Sequence, residues 1–155
     1  MRASSAQASE IFPRVKGSAI NYLVDAGPLI GFLDTDDQWH EWSTRTLEVL
    51  DEPLATTETA VAEACHRLRK LRPALAVIPR LVKEGRLLLI PAVAEQPQRV
   101  DELLAKYPEM DAGDATLVVL SELFPRAKLI TVDDDFRRYR RLRNQAIPVV
   151  MPERL

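Results

Sequence analysis

Residues 20–28 read INYLVDAGP, a short apolar run that ends in an acid and a glycine–proline pair. An apolar run of this length, bounded by turn-forming residues, predicts a strand that is buried on both faces. Asp25 would then stand directly after the first strand of a sheet. The chemistry open to Asp25 therefore depends on which residues end the neighbouring strands.

Four more apolar runs predict strands, and segments with helical patterning separate them. The predicted strands are 20–24, 54–57, 87–90, 128–132 and, as an edge strand between prolines, 147–150. The predicted helices are 38–50, 58–71, 73–84, 98–105, 111–124 and a short basic helix over 136–143, while 29–33 is interpreted only as a short apolar segment. Alternating strands and helices predict one α/β domain, a sandwich of the α/β/α kind with a mainly parallel sheet of four to five strands.

Two acids follow predicted strands, and two more lie on predicted helices. Asp25 follows the first strand, and Asp133 follows the run Leu129–Val132. Ligands of an open parallel sheet bind beyond the carboxyl ends of its strands, so both acids should reach one crevice. Asp114 lies in the first turn of its helix, and Glu63 flanks the apolar stripe of the helix after the second strand. The pattern predicts four carboxylates in one crevice.

Carboxylates this close together repel one another, and some would take up protons if no counter-charge were present. A hard divalent cation supplies that charge, since Mg²⁺ binds through a few carboxylates and water. Such an ion can polarise a phosphate and lower the pKa of water. Hydrolysis of phosphodiester bonds is therefore the chemistry that the four acids favour.

Each acid also has a purely structural interpretation. Asp25 could cap the helix that follows it, and Asp111 with Asp114 has the spacing of a capping box. Glu63 could pair with Arg67, four residues later on the same helix.

The triplet Asp133–Asp135 could be a solvated turn, and its middle acid in particular suits that interpretation. Taken alone, none of the acids separates a metal site from helix capping or surface charge.

Four segments around the acids resemble the four motifs of PIN-domain nucleases, in the same order and at similar spacing. They read LVDAGPLIGFLD at 23–34, TTETAVAEACHRL at 56–68, MDAGDATLVVL at 110–120 and LITVDDDF at 129–136. The resemblance covers roughly residue 20 to the C-terminus. One departure is Gly27, since many relatives carry Ser or Thr near the first acid.

Within that family the chain is most similar to VapC-like toxins of toxin–antitoxin pairs. The resemblance implies an endoribonuclease that depends on Mg²⁺ or Mn²⁺, forms homodimers and is inhibited by a small antitoxin that covers the site. It also implies that the catalytic metal ligands are Asp25, Glu63, Asp114 and Asp133.

Three further residues are candidates around that set. Asp135 could ligate a second ion, and Asp111 could orient water beside the ligands. Thr131, in a Thr-x-Asp pattern, could hydrogen-bond Asp133 and fix its orientation.

Two basic groups are candidate RNA contacts, one at 67–72 and one at 137–143. The four residues predicted to bind RNA are Arg67, Arg137, Arg138 and Arg140. Arg holds phosphate with two hydrogen bonds, and Tyr139 inside the second group could stack on an unpaired base. The alternative is a solvated helix face or a helix end favoured by its dipole, and an acidic antitoxin segment could use the same patch.

The whole chain is consistent with one soluble domain. Its 155 residues are 46% hydrophobic and 28% charged, with a net charge of −2, which argues against a general nucleic-acid coat and leaves only a local basic footprint. One cysteine, Cys65, excludes an intrachain disulfide and fits a reducing cytoplasm. Residues 1–18 are interpreted as a flexible tail without a secretory or membrane segment, and 19–155 as the PIN domain.

Three other functions compete with the toxin. A phosphatase of the haloacid-dehalogenase type needs a second Asp two residues after Asp25, where this chain has Gly27. A receiver domain needs a Lys after a late strand, whereas Lys128 of this chain precedes its strand. A non-catalytic PIN-like binding module remains, although all four acids are present. A stand-alone PIN nuclease for RNA processing has the same residues as a toxin.

Overall fold

The computed structural model describes residues 19–153 of the chain. The predicted N-terminal tail, 1–18, lies outside the described residues. Five strands form the central sheet in the order β3-β2-β1-β4-β5, and every neighbouring pair is parallel. They are β1 (Tyr22–Val24), β2 (Leu54–Thr57), β3 (Leu87–Ile90), β4 (Lys128–Ile130) and β5 (Val149–Val150). The predicted parallel sheet is confirmed, with the last strand at its edge.

Helices connect these strands. They are α1 (Ala26–Leu33), α2 (His40–Leu47), α3 (Glu58–Arg67), α4 (Arg72–Leu75), α5 (Val77–Lys83), α6 (Ala92–Glu95), α7 (Pro97–Lys106) and α8 (Ala112–Leu123). Across residues 19–153, none of the helices is both long enough and apolar enough to span a bilayer.

The sheet separates two apolar cores, because successive side chains of a strand point to opposite faces. On β1, Leu23 packs into the core beneath α7 and α8, whereas Val24 packs into the core beneath α1, α3 and α5. Leu129 and Ile130 of β4 divide in the same way, and all four side chains are fully buried. This arrangement confirms the α/β/α sandwich, and it explains why the strands are apolar without alternation.

The predicted basic helix over 136–143 is wrong. A 3₁₀ turn covers Asp134–Arg137, and a short antiparallel hairpin pairs Arg140–Arg141 with Gln145–Ala146. Arg143 and Asn144, at the hairpin's tip, have φ of 60° and 58°. Two consecutive left-handed residues cannot continue a right-handed helix, so the local chain turns back instead.

Other helix boundaries also differ from the prediction. The segment after Asp25 is a helix, α1, because Asp25 caps it and Pro28 stands in its first turn. The helix predicted over 58–71 ends at Arg67, and the one predicted over 38–50 spans only His40–Leu47. The short helix α6 has no counterpart in the prediction.

Candidate metal centre and catalytic site

Asp25 is held between two donors at the carboxyl end of the central strand β1. Its Oδ1 accepts a 2.7 Å hydrogen bond from the backbone N–H of Ala26, and its Oδ2 accepts one of 2.7 Å from Thr131 Oγ1. The side chain is only 8% exposed. Burial raises the pKa of Asp25 to about 6, the two hydrogen bonds oppose that rise, and the charges of Glu63 and Asp133 add to it. Asp25 therefore caps α1 and also belongs to an acidic site.

Thr131 follows β4, the strand beside β1, and is buried. Its hydroxyl makes the predicted hydrogen bond with Asp133, and it also donates to Asp25, which the sequence did not predict. Its oxygen accepts a 3.0 Å bond from the backbone N–H of Asp133. Thr131 thus links the first and last predicted acids, as a positioning group would.

Asp133 begins the 3₁₀ turn that follows β4. Its Oδ1 accepts a 2.9 Å bond from the backbone N–H of Asp135. Burial raises the pKa of Asp133, and the charges of Asp135, Asp111 and Asp134 raise it further against the opposing backbone bond. The acid is therefore fixed by its own turn, and it is repelled by two acids of that turn and by Asp111 at the start of α8.

Asp114 lies in the first turn of α8 and faces the same group. Burial raises its pKa to about 7, and the charges of Asp111, Asp133 and Asp25 contribute. Asp111 is the N-cap of the helix, and its Oδ1 accepts a 2.8 Å bond from the Asp114 backbone N–H. The capping interpretation of Asp111 is confirmed, and its charge still acts on the other acids.

Glu63 approaches from the exposed side of α3. Burial is the largest cause of the raised pKa of Glu63. The charges of Asp111 and Asp133 raise this pKa further, whereas the charge of Arg67 lowers it. A Cβ built on Gly113 would lie 3.8 Å from Glu63 Oε2 and 3.2 Å from Asp111 Oδ1. Glu63 and the start of α8 are therefore near neighbours, as the sequence predicted.

The four predicted ligands form one electrostatic cluster, since each has a raised pKa to which at least one other acid contributes. Within residues 19–153, no three His, Cys, Asp or Glu side chains already stand where they could hold one ion together. The donor chemistry nevertheless fits a hard divalent cation, because the ligating atoms are all carboxylate oxygens and two of the acids are largely withdrawn from water.

The arginines of residues 137–140 that were predicted to bind RNA form ion pairs and hydrogen bonds with other residues of this chain. Arg138 pairs with Glu109 at 2.7 Å and with Asp135 at 3.1 Å, and Arg137 pairs with Asp134 at 3.3 Å. The Arg140 guanidinium donates to the carbonyl oxygens of residues 137–139. Asp135 accordingly stands beside the cluster as half of an ion pair.

The predicted stacking of Tyr139 on a base is wrong, because the residue is fully buried. Its hydroxyl donates a 3.1 Å bond to Asp114 Oδ2, so the sequence analysis missed a residue of the site. One signal in the sequence could have identified Tyr139 as buried. Phe136 stands three residues earlier, and two aromatic residues at that spacing among arginines indicate a buried face.

Two grooves lie elsewhere on the surface. One, of about 670 Å³, is lined by residues of α7, the end of α8 and the hairpin, including Arg99, Glu122 and Arg141. The other, of about 520 Å³, is mostly apolar and lies between α3, α5 and β3. None of the four predicted ligands lines either groove.

Comparisons with known proteins match both the sequence and the fold. The family model described as "PIN domain" matches residues 22–142. The structure is similar to VapC20 of Mycobacterium tuberculosis, described as a sarcin–ricin loop cleaving toxin, with a TM-score of 0.67 and 14% identity over 74% of this chain and 92% of that one. It is also similar to a chain in a toxin–antitoxin complex from Klebsiella pneumoniae, with a TM-score of 0.62 and 20% identity over 87% of this chain and 100% of that one.

A search of curated protein sequences gave no match. The two structural similarities, at their low identities, establish the fold. The match of the family model spans most of the described residues and includes all four predicted ligands. The chain therefore belongs to the PIN-domain family.

Proposed function

We propose that the protein is an endoribonuclease that depends on Mg²⁺ or Mn²⁺, and that it acts as the toxin of a VapBC-like pair. The observation that carries this proposal is the state of Asp25. A carboxylate that is 8% exposed, oriented by Thr131 and surrounded by other acids is costly to keep charged. A bound divalent ion would offset that cost, and a helix cap alone would not require the other acids.

The residues that would hold the ion are Asp25, Glu63, Asp114 and Asp133, with Asp135 as a further candidate. When bound, a divalent ion supplies positive charge to a phosphate and lowers the pKa of water. The chain's own contribution is to orient the carboxylates through Thr131, Ala26 and the cap of α8. The reaction adds water across one phosphodiester bond, so that one P–O bond forms and another breaks. No side chain is assigned as a separate general base.

The proposed partners follow from the similar structures. VapC20 is described as a sarcin–ricin loop cleaving toxin, and the Klebsiella protein as part of a toxin–antitoxin complex. We propose an RNA substrate, a small antitoxin that covers the acids, a homodimeric state and a cytoplasmic location for this chain. Arg67, which lies one helical turn after Glu63, is the basic residue best placed to contact a phosphate near the acids.

A stand-alone PIN nuclease of RNA processing remains the second candidate, because it would use the same acids. A gene for a small DNA-binding partner beside this one would favour the toxin. A non-catalytic module is the third candidate, but a binding module gains nothing from a nearly buried, repelled carboxylate.

The test is cleavage of RNA across a titration of Mn²⁺, with the wild type and Asp114→Asn compared. We expect cleavage by the wild type that requires the metal, and none by the variant, because Asn keeps the shape and the acceptor for Tyr139 but loses the charge. Asp101→Asn, an exposed acid on α7, is the matched control and should cleave normally. Activity of Asp114→Asn equal to that of the wild type would contradict the proposal, as would absence of cleavage by the wild type with every divalent metal.

A further inference from the structure

Tyr139 is a fully buried side chain whose one polar atom contacts the acidic cluster. Its hydroxyl donates to Asp114 Oδ2 at 3.1 Å. Its ring packs edge-on against Tyr107, with centroids 5.1 Å apart, and against Phe136, with centroids 5.5 Å apart. We call these three rings the aromatic cluster. The aromatic cluster holds the Tyr139 hydroxyl in place, because closely packed rings of this size cannot change to another rotamer.

The backbone around Tyr139 is also tied to the loop before α8. The backbone N–H of Arg140 donates a 3.1 Å bond to the hydroxyl oxygen of Tyr107, and Arg138 pairs with Glu109 at 2.7 Å. Tyr139 therefore cannot move away from Asp114 without breaking contacts on both sides. The hydroxyl works as a rigid donor and not as an incidental neighbour.

The Tyr139 hydroxyl is a neutral donor in its ordinary protonated form, and it donates to Asp114 Oδ2. A neutral donor can orient a carboxylate without neutralising it, which leaves the negative charge available to a cation. Thr131 does the same for Asp25 on the other side of the cluster. Two of the four acids are thus oriented by neutral hydroxyls from one segment, residues 131–139.

We propose that Tyr139 is a positioning residue of the metal site, which orients the Asp114 carboxylate and thereby sets the affinity for Mg²⁺ or Mn²⁺. This inference rests on the proposed function in one respect, namely that Asp114 is a ligand. It adds a residue that lies outside the four motifs quoted from the sequence. Tyr139 stands in an arginine-rich segment whose composition predicted an exposed surface.

The experiment compares the binding of Mn²⁺ to the wild type, Tyr139→Phe and Tyr107→Phe by isothermal titration calorimetry. Groups that orient metal ligands typically change affinity by about 10- to 100-fold, so we expect a loss in that range for Tyr139→Phe. Tyr107→Phe removes the same atom from the same aromatic cluster, but that atom contacts the backbone N–H of Arg140 and not an acid, so this variant should lose less affinity than Tyr139→Phe does. Added Mn²⁺ should restore most of the cleavage rate of Tyr139→Phe.

The outcomes separate this inference from the proposed function. Binding of Mn²⁺ by the wild type, with equal affinity in Tyr139→Phe, overturns the role of Tyr139 alone. Absence of Mn²⁺ binding by the wild type overturns the metal site, and the inference with it. An equal loss in both variants shows a general packing effect and also overturns the inference.

A measurement on the unmutated fold covers the case in which Tyr139→Phe does not fold. 3-Fluorotyrosine at position 139 keeps the hydroxyl and reports on it through its ¹⁹F resonance. Added Mg²⁺ should shift this resonance more than that of the same label at position 107. Shifts of equal size, or no shift at 139, would overturn the inference.

Discussion

The hydroxyl of Thr131 donates a 2.7 Å hydrogen bond to Oδ2 of Asp25, and so joins two residues that are 106 positions apart in the chain. The bond crosses from the end of β4 to the end of β1, two neighbouring strands of the sheet. It lowers the pKa of Asp25 against the much larger effect of burial. The charged form of the acid is therefore favoured by this hydroxyl together with the backbone N–H of Ala26.

Thr131→Val keeps the shape of the side chain and removes that donor. We expect the free energy of unfolding to fall by about 1–3 kcal/mol, because Oδ2 of Asp25 loses its partner in a buried position. The affinity for Mn²⁺ should fall by about tenfold or more, since a positioning bond is lost. Thr131→Ser retains the hydroxyl and is the control. Urea unfolding with EDTA and calorimetry with Mn²⁺ measure the two effects, and equal behaviour of Val and Ser variants would contradict the assignment.

The metal-free protein should lose stability as the pH rises. The folded-state pKa values of Asp25 and Asp114 are about 6 and about 7, above the ordinary value of 3.8. Their contribution to stability is therefore fully present below pH 3.8 and is lost as the pH rises through 6 and 7. The double variant Asp25→Asn/Asp114→Asn should lack this decline in Tm.

Added Mg²⁺ should raise Tm more at pH 8 than at pH 5, because the ligands must be ionised to bind it. Differential scanning calorimetry with and without Mg²⁺ measures both trends. A shift in Tm that is the same at the two pH values would show that the raised carboxyls do not bind the ion.

Gly27→Ala should destabilise the fold. A Cβ at this position would lie 2.6 Å from Cγ2 of Val132, a distance that forces one of the two segments to move. Overpacking of this kind costs about 1–3 kcal/mol. The double variant Gly27→Ala/Val132→Ala should recover most of that loss, and urea unfolding of the three proteins tests it. No recovery would show that the contact is not the cause.

The contact between position 27 and Val132 bears on the one departure from the family pattern, which is Gly27 in place of the Ser or Thr that many relatives carry near the first acid. A Ser or Thr at position 27 would meet the same methyl group, so the bulk of Val132 explains why this chain carries Gly there.

Glu122→Gln should weaken the fold without changing the metal site. Glu122 pairs with Arg99 at 2.8 Å in a largely buried position, and its Oε1 also accepts a 2.9 Å bond from the backbone N–H of Leu142. Loss of one charge from such a pair costs about 3 kcal/mol. Glu102→Gln removes the half-exposed partner of the same arginine and should cost below about 1 kcal/mol. Both variants should bind Mn²⁺ as the wild type does; weaker binding by Glu122→Gln would show that the remote groove is coupled to the acids.

The strands and the site acids were predictable because they depend on local rules. A buried parallel strand is a short apolar run, and β2 and β3 match their predicted bounds residue for residue. Since parallel strands end at one edge, Asp25 and Asp133 had to lie close together. Asp114 and Glu63 followed from helix starts and from the four matched motifs.

The last segment was not predictable in the same way, because its structure depends on distant contacts. The composition of this segment predicted a basic helix. Tyr139 is instead buried, packed against Tyr107 and hydrogen-bonded to Asp114, and no local sequence pattern reveals these contacts. Thr131 presented a similar problem, since its bond with the nearer Asp133 was predicted but its bond to Asp25, which crosses between strands, was not. Side-chain partners across strands need the register of the sheet, and that register is a property of the whole fold.

The order of the strands has a consequence for the protein during its synthesis. Asp25 leaves the ribosome before its neighbours in the sheet, because β4 joins the sheet beside β1 and Thr131, the partner of Asp25, is translated 106 residues later. A nascent chain that carries Asp25, Glu63 and Asp114 but not β4 has no neighbour for β1 on that side and lacks the hydroxyl donors of Asp25 and Asp114. The proposed site is therefore incomplete until β4, Thr131 and Tyr139 have all been translated, and its assembly waits for contacts between distant parts of the chain.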